Sequence, residues 1–220
     1  MNVCEKFISI NGEGSKAGQL AVFIRFAKCK LNCVYCDTKW ANEDNVSYTK
    51  MTPDEVFNYI KQTNIKNVTL TGGEPLLQEN IKELLFLLKR QKDICTEIET
   101  NGSVFIKDFC GGDIRPETFT LDYKLPDSGM EDKMCLKNYD FISKNDCVKF
   151  VASSKNDLIK AKEIILKYDL AKKCNVFISP VFGKIEPSEI VDFLKENCLN
   201  GVTLSLQLHK IIWDPQMRGV

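Results

Sequence analysis

The chain has 220 residues, enough for one sizeable hydrophobic core, so we expect a single domain over residues 1–220. Its 30 basic residues balance its 30 acidic residues, so the net charge gives no reason to expect a nucleic acid or an anionic membrane as partner. No apolar run reaches membrane-spanning length and the N-terminus lacks the pattern of a secretion signal, so we expect a cytoplasmic protein with free thiols rather than disulfides.

The chain opens with a short predicted strand at residues 6–10, and a loop at 11–14 follows it. Two glycines in this loop permit tight turns and close approach of a ligand, although most such loops are only turns. Residues 20–27 form a second predicted strand, which is almost continuously apolar, as a strand covered on both faces would be. Arg25 interrupts this strand, and it either reaches towards water or binds a carboxylate through two parallel hydrogen bonds.

Three cysteines, Cys29, Cys33 and Cys36, follow within one short loop. Thiolates at this spacing can bind three irons of an iron–sulfur cube and leave the fourth iron open for an exogenous ligand. A structural zinc site would need a fourth ligand, which the loop does not contain, and the only histidine of the chain is His209. A zinc site completed by a distant residue is one alternative, and three ordinary small apolar side chains are another.

Helices and strands alternate in the rest of the chain. Residues 52–55, with the sequence TPDE, predict a capped helix start with proline in the first turn. The predicted helices are 53–63, 80–90, 154–168 and 187–196, and the predicted strands are 67–70, 94–99, 118–123, 147–152, 175–179 and 202–207. Irregular insertions are expected at 107–116 and 127–138. This alternation predicts parallel βα units and therefore an α/β fold.

Ligands of parallel βα folds bind at the carboxyl ends of the strands. The cysteine loop and four further segments each follow a predicted strand, so we expect them to lie at one rim of the sheet. These four segments are residues 71–75, 99–102, 123–124 and 179–180. The sequence therefore predicts a single pocket assembled from separate motifs.

Two of these motifs resemble motifs of the radical S-adenosylmethionine (SAM) superfamily. The cysteine loop has the same two spacings, with Tyr35 just before the last cysteine, and TGGEP at residues 71–75 is similar to the glycine-rich motif of the superfamily. The resemblance implies a [4Fe-4S] cluster on Cys29, Cys33 and Cys36, with SAM bound to the open iron. It also implies a partial (β/α)6-type barrel, reduced in size.

The same resemblance implies contacts to SAM from four segments of the predicted rim. The residues concerned are Gly72, Gly73, Glu74, Glu99, Asn101, Tyr123, Lys124, Ser179, Pro180, Val181 and Phe182. A glycine-rich turn before a helix is the alternative interpretation of TGGEP, and a polar turn is the alternative for the segment at 99–102. The segments at 122–124 and 179–182 match the superfamily in position more than in residue type.

Within the superfamily, both ends of the chain resemble the 7-carboxy-7-deazaguanine synthases. The similar segments are EKFISINGEGSKAGQLAVFIRFAKC and LQLHKIIWDPQMRGV, and the resemblance covers essentially the whole chain. It implies a lyase that converts 6-carboxy-5,6,7,8-tetrahydropterin to 7-carboxy-7-deazaguanine with loss of ammonia, in the biosynthesis of queuosine and other deazapurines. The radical needed for this reaction would come from one-electron cleavage of SAM.

The implied substrate contacts are Ile10, Asn11, Gly12, Arg25, Thr71 and His209. Arg25 would bind the substrate carboxylate, whereas a single histidine such as His209 can also have a purely structural role. Thr38 matches the position of a magnesium ligand, with Asp37 as the alternative ligand. The resemblance further implies a homodimer and a one-electron donor such as flavodoxin or ferredoxin.

Two other functions fit parts of the sequence. An activase for a glycyl radical enzyme would have a similar length and the same cysteine loop, but it would need a protein partner instead of a pterin. A zinc-binding interaction module without catalysis would account for the cysteines alone. Iron and zinc analysis of anaerobically purified protein would separate the module from the two enzymes.

Overall fold

A nine-stranded sheet forms the centre of the fold in the computed structural model, which describes residues 1–220. The strands are β1 (Asn2–Ile10), β2 (Leu20–Phe26), β3 (Thr49–Lys50), β4 (Asn67–Gly72), β5 (Cys95–Thr100), β6 (Thr118–Tyr123), β7 (Cys147–Ala152), β8 (Asn175–Pro180) and β9 (Val202–Leu204). Their order across the sheet is β3-β1-β2-β4-β5-β6-β7-β8-β9. From β2 onwards all neighbours are parallel, whereas β1 and β3 are added antiparallel at one edge.

The α-helices are α1 (Pro53–Gln62), α2 (Ile81–Lys89), α3 (Lys155–Lys167), α4 (Leu170–Lys173), α5 (Pro187–Glu196) and α6 (Leu208–Ile212). The predicted alternation and the α/β fold class are confirmed. The connections from β5 to β6 and from β6 to β7 contain only short 3-10 turns, at the two predicted insertions. The parallel strands with their outer helices form a partial β/α barrel, as expected.

The sequence fixes the start of α1 through a reciprocal cap. Glu55 N donates to Thr52 Oγ1 at 3.2 Å, and Thr52 N donates to Glu55 Oε2 at 2.8 Å. Pro53 occupies the first turn, where its missing N–H leaves no hydrogen bond unmade. The buried side chains of Val56 and Ile60 then face the sheet. The cap and the apolar stripe together explain why this helix begins where the sequence predicts.

The hydrophobic core has two clusters under one sheet. The first packs α1 and α2 against the strands from β2 to β6, and the second packs α3 and α5 against β7 and β8. Fully buried members of the first cluster include Phe26, Leu70 and Ile98, and those of the second include Phe150 and Ile178. Because both clusters cover the outer face of the sheet, the opposite face is left for polar side chains.

Two strand ends differ from the prediction by three residues or more, and the other predicted ends differ by two residues at most. Strand β1 begins at Asn2, four residues before the predicted start at residue 6, because it gains partners on both sides, from β2 and β3. The charged residue Glu5 interrupts the apolar pattern by which the sequence would indicate a strand in this part of the chain. Strand β9 ends at Leu204, three residues before the predicted end, because the chain then turns towards α6.

No helix in the protein combines the length and the apolar character that crossing a membrane would require.

Candidate active site

A cavity of about 910 Å³ opens at the carboxyl ends of the parallel strands. Its lining includes Arg25 near the end of β2, Gly72 at the end of β4, Thr100 at the end of β5 and Asp122 near the end of β6. This volume lies towards the upper end of the range for small-molecule sites, about 300–1,000 Å³. The cavity therefore has room for a cofactor and a small substrate together.

The cysteine loop forms one wall of this cavity and is fixed by hydrogen bonds at both ends. Cys29 N donates to Asn42 Oδ1 at 2.7 Å, and Asn42 Nδ2 donates to Leu31 O at 3.2 Å. The phenol of Tyr35 donates to Val151 O at 3.0 Å, which connects the loop to β7. The sequence analysis did not identify Asn42 as important, because its role depends on a contact across the loop.

The three thiols suit an iron–sulfur cluster. Cys29, Cys33 and Cys36 all line the cavity, and no set of three His, Cys, Asp or Glu side chains is arranged to hold a single metal ion. Cys29 Sγ accepts hydrogen bonds from Leu31 N at 3.4 Å and from Asn101 Nδ2 at 3.3 Å, as cluster-bound sulfurs commonly do. Burial raises the pKa of the Cys33 thiol, so metal binding must displace its proton.

The glycine pair after β4 brings that strand end against the cysteine loop. A Cβ at Gly73 would lie 1.9 Å from Lys28 O, and a Cβ at Gly72 would lie 2.3 Å from Phe26 O. The close approach permits Gly73 N to donate to Phe26 O at 2.8 Å. Gly72 also has a φ of 128°, which favours glycine. Both glycines line the cavity, so their backbone is open to a ligand on the other side.

The side chain of Glu74, predicted to contact SAM, lies outside the cavity. It is fully buried and accepts hydrogen bonds from Leu76 N at 3.1 Å, Thr100 Oγ1 at 2.9 Å and Asn101 N at 2.8 Å. Burial raises the pKa of Glu74 to about 7, against these three donors. The carboxyl group therefore ties the glycine motif to the end of β5, while the backbone N–H of Glu74 donates to Lys28 O at 2.9 Å and ties the motif to the start of the cysteine loop.

Strand alternation explains the placement of the predicted residues on β6. Asp122 and Lys124 face the cavity and form an ion pair at 2.8 Å, whereas Tyr123 points to the opposite face. There Tyr123 packs on the ring of Phe150 and donates to Glu131 Oε1 at 2.9 Å. The side chain of Tyr123 is therefore directed away from a ligand in the cavity, whereas Lys124 lines the cavity.

The predicted segment after β8 divides in the same way. Val181 and Phe182 line the cavity. The side chains of Ser179 and Pro180 are buried in the strand end and lie outside the cavity lining, because the chain reaches the rim only at residue 181. Any contact of these two residues with a cofactor is limited to the backbone.

The predicted substrate residues are gathered in the cavity. All six line it, namely Ile10, Asn11, Gly12, Arg25, Thr71 and His209. Thr71 Oγ1 donates to Glu99 Oε2 at 2.8 Å, so the predicted residues of β4 and β5 meet. Asn11 Oδ1 accepts from Thr69 at 2.8 Å, while its buried Nδ2 has no partner in the chain. An unpartnered buried donor is costly, so Asn11 Nδ2 is available to a ligand.

His209 reaches the cavity from the C-terminal end of the chain. Leu208 N donates to Gly12 O at 3.0 Å, which places the imidazole beside Gly12. Desolvation lowers the pKa of His209 below its usual value, against the opposing charge of Glu13, so the ring is neutral at neutral pH. A neutral imidazole can donate from one nitrogen and accept at the other.

Arg25 lies at the end of β2 and makes an ion pair across the sheet. Its Nε donates to Glu5 Oε2 at 3.0 Å, and both side chains line the cavity. The two side chains are about one-fifth exposed, at 20% and 17%. Arg25 is therefore held within the site instead of extending into water.

Thr38 also lines the cavity, two residues after the last cysteine of the loop. Its hydroxyl donates to Asp37 Oδ1 at 2.9 Å. The other carboxylate oxygen of Asp37 accepts from Lys210 Nζ at 3.3 Å. Two oxygens from adjacent residues, Thr38 Oγ1 and the Asp37 carboxylate, thus lie together at the edge of the cavity.

A network of buried charges was missed by the sequence analysis. Lys149 Nζ lies 3.3 Å from Glu13 Oε2 and 3.9 Å from Asp122 Oδ2, and Asp122 also pairs with Lys124. Burial would lower the pKa of Lys149, but Glu13 and Asp122 raise it well above its usual value, so Lys149 stays charged. The available signal was a single charged residue within each of the two neighbouring strands β6 and β7.

Comparison with known proteins agrees with this site. A model of the radical SAM superfamily matches residues 23–114. A 7-carboxy-7-deazaguanine synthase of Clostridium acetobutylicum is 61% identical, with 99% of this chain and 98% of that protein covered. A 7-carboxy-7-deazaguanine synthase of Chlorobaculum tepidum is 35% identical, with 100% and 97% covered. The crystal structure of QueE from Escherichia coli shares the fold, with a TM-score of 0.70 at 21% identity over 94% and 93% of the two chains.

These matches give no support to an activase or to a zinc-binding module. A radical SAM enzyme uses a [4Fe-4S] cluster and SAM and needs a reductant, and here it acts on a small molecule. The cysteine loop, the glycine pair and the polar cavity are consistent with that chemistry. The chain belongs to the 7-carboxy-7-deazaguanine synthase family of the radical SAM superfamily.

Proposed function

We propose that this chain, as a single domain, converts 6-carboxy-5,6,7,8-tetrahydropterin to 7-carboxy-7-deazaguanine with loss of ammonia. The observation that carries the proposal is one cavity shared by the cysteine loop and by Arg25 and His209. The product would supply a deazapurine pathway such as queuosine biosynthesis. The names of the relatives in the synthase family support the same reaction.

The cofactor half of the cavity would be formed by the cysteine loop and the ends of β4 to β8. Cys29, Cys33 and Cys36 would hold the cluster. When bound, the cluster and SAM supply the one-electron chemistry that removes a hydrogen atom from an unactivated carbon. Cavity-facing residues that would contact SAM are Gly72, Gly73, Glu99, Asn101, Lys124, Val181 and Phe182. Tyr123, Ser179 and Pro180 would contribute backbone contacts only. Glu74 would act indirectly, by holding the glycine pair against the cysteine loop.

The substrate half would be formed by β1, β2 and the segment around His209. Arg25 would bind the substrate carboxylate, because a guanidinium matches a carboxylate with two parallel hydrogen bonds. Asn11 Nδ2 and the neutral His209 offer hydrogen bonds to the polar edge of the pterin ring. The backbone at Ile10 and Gly12 and the hydroxyl of Thr71 complete this wall.

Magnesium would bind at Thr38. Mg²⁺ keeps several waters and needs few protein oxygens when a substrate supplies others. The adjacent oxygens of Thr38 and Asp37 fit such a role, with Asp37 either as a further ligand or as the residue that orients Thr38. The ion pair between Lys210 and Asp37 would have to rearrange if Asp37 itself binds the ion.

The proposed partners are a flavodoxin or ferredoxin as electron donor and a second copy of the chain in a homodimer. Both follow from the resemblance to the family. Size-exclusion chromatography with light scattering would test the dimer. Replacement of dithionite by reduced flavodoxin or reduced ferredoxin in the activity assay would identify the donor.

The proposal is tested with anaerobically reconstituted protein, dithionite, SAM, magnesium and 6-carboxytetrahydropterin, with products followed by mass spectrometry. We expect 7-carboxy-7-deazaguanine, and we expect none from Cys33→Ala. Cys198→Ala is the matched control, because Cys198 is exposed and lies outside the cavity. Formation of 5′-deoxyadenosine without the deazaguanine would keep the radical chemistry but overturn the proposed substrate.

A further inference from the structure

The ion pair between Glu5 and Arg25 has a geometry suited to presenting Arg25 to an anion. The two residues are cross-strand partners in the register of β1 and β2. Only Nε of Arg25 is engaged, by Glu5 Oε2 at 3.0 Å, and the terminal Nη atoms make no hydrogen bond within the chain. Because Arg25 lines the cavity, the two terminal nitrogens of its guanidinium can donate hydrogen bonds to a carboxylate ligand.

A second arginine holds the other oxygen of the same carboxylate. Arg218 Nε donates to Glu5 Oε1 at 3.4 Å. The guanidinium of Arg218 lies 3.5 Å from the ring centre of Trp40, in the turn after the cysteine loop. Stacking on Trp40 limits the movement of Arg218, so Glu5 is fixed at both oxygens. Arg218 therefore holds Glu5 in place, and Glu5 in turn holds the orientation of Arg25.

The charges in this group point to an anionic ligand. Arg25 and Arg218 share the single negative charge of Glu5, so one positive charge is not compensated within the group. The nearby carboxylate of Asp37 has its own cation, Lys210. An unbalanced guanidinium at an open cavity is the arrangement expected for binding of a carboxylate.

We infer that Glu5 is a positioning residue that aims Arg25 at the carboxylate of the substrate. The inference rests on the function proposed above and adds a residue that acts through Arg25 without touching the substrate. The expected effect of this positioning is selectivity. Glu5 should increase the preference of the site for a pterin with a carboxylate over a pterin without one, even though the negative charge of Glu5 itself repels anions.

This repulsion makes the test decisive. If only charge mattered, Glu5→Gln would remove a negative charge and strengthen the binding of a carboxylate. If Glu5 positions Arg25, the same variant should weaken it. Glu5→Asp keeps the charge but shortens the side chain, so positioning predicts a loss there too. We expect each variant to lower the preference for the carboxylated ligand about tenfold, the loss expected for one charge-assisted hydrogen bond.

The measurement is equilibrium dialysis of the anaerobic enzyme, loaded with cluster, SAM and magnesium, against 6-carboxypterin and against pterin. The ratio of the two dissociation constants reports the preference, and the affinity for pterin alone reports that the site is intact. Glu163→Gln is the matched control, since it removes a surface carboxylate that pairs with Lys160 away from the cavity. Its ratio should equal that of the wild type.

The variant Arg25→Gln separates carboxylate binding by Arg25 from the positioning of Arg25 by Glu5. If Arg25→Gln abolishes the preference and both Glu5 variants retain it, the inference about Glu5 is overturned while the proposed function stands. If the wild type shows no preference for 6-carboxypterin, the carboxylate role of Arg25 fails and the inference fails with it. A tenfold loss in both Glu5 variants, with unchanged pterin affinity, supports the positioning role.

Discussion

The imidazole of His209 packs on Gly12 so closely that a Cβ at position 12 would lie 2.3 Å from His209 Nδ1. The two residues come from opposite ends of the chain, and the bond from Leu208 N to Gly12 O, at 3.0 Å, fixes their approach. The side chain of His209 thus requires a glycine at position 12 of the loop 11–14. The two ends of the chain form one wall of the active site.

Gly12→Ala should displace His209 from this wall. We expect kcat/KM for product formation to fall by at least about tenfold, because small misplacements in a binding site have large effects on turnover. The cysteine loop is untouched, so iron content should stay at the wild-type level. Steady-state kinetics with the reconstituted enzyme and iron analysis provide the two measurements.

Gly112→Ala is the control for this prediction, since a Cβ at Gly112 would meet nothing within 4 Å. The double variant Gly12→Ala/His209→Ala should be less impaired than the sum of the single effects, because removal of the imidazole relieves the clash. Strictly additive effects would contradict the proposed contact.

Gly73→Ala should impair the cluster. The added Cβ would lie 1.9 Å from the backbone oxygen of Lys28, directly before Cys29, so backbone on one side must move. We expect the iron and sulfide bound after reconstitution to fall by more than about half, since overpacked sites shift their backbone. Absorbance of the cluster and iron analysis would show this. Gly111→Ala, whose Cβ would have 3.8 Å to its nearest neighbour, should bind iron normally.

Glu74 should make the stability of the protein depend on pH. Burial raises its pKa from 4.5 to about 7, so the folded state holds the proton more tightly than the unfolded state. The contribution of Glu74 to the free energy of unfolding should therefore fall as pH rises from about 4.5 to 7, by roughly 3 kcal/mol in total. Urea unfolding of the cluster-free protein at several pH values, compared with Glu74→Gln, measures this decline.

The difference in unfolding free energy between wild type and Glu74→Gln should be constant above this range of pH. For Glu163 the hydrogen bond from Lys160 lowers the pKa, so Glu163→Gln should show no such decline. A difference for Glu74 that rises with pH would mean that the three donors around its carboxylate outweigh its burial.

The sequence was sufficient for the elements whose signal is local. Strand β6 and helix α5 have the predicted ends, because alternation of polar and apolar residues marks the strand and a proline marks the helix start. Strand β1 was predicted too short, because its first residues become a strand only by pairing with β2 and β3. Pairing partners distant in the chain leave no local pattern.

The segments that form the rim of the cavity were also predictable from the sequence. Which way each side chain points was not predicted for every residue. Alternation along β6 already places Asp122 and Lys124 on the face opposite Tyr123. The resemblance to a superfamily motif obscured this simple rule. For Glu74, by contrast, the three donors that bind its carboxyl group come from two separate segments, so only the folded structure reveals its buried position.

Lys149 and Lys160 test whether the buried network contributes to stability. Each lysine lies near two carboxylates: Lys149 near Glu13 and Asp122, and Lys160 near Glu131 and Glu163. The side chain of Lys149 is 11% exposed and that of Lys160 is 29% exposed. Lys149→Met would leave Glu13 buried without a cation and should cost about 3–5 kcal/mol. Lys160→Met, at the surface, should cost less than about 1 kcal/mol.

Urea unfolding of both variants at pH 7, at low and high salt, is the measurement. The cost of Lys160→Met should shrink further in high salt, whereas that of Lys149→Met should persist, since buried pairs are screened little. If Lys149→Met costs no more than Lys160→Met, Glu13 must take up a proton or reach water once its partner is lost. The charges of the cavity wall would then adjust readily to a change of partner, and the network would not act as a fixed frame for the ligands.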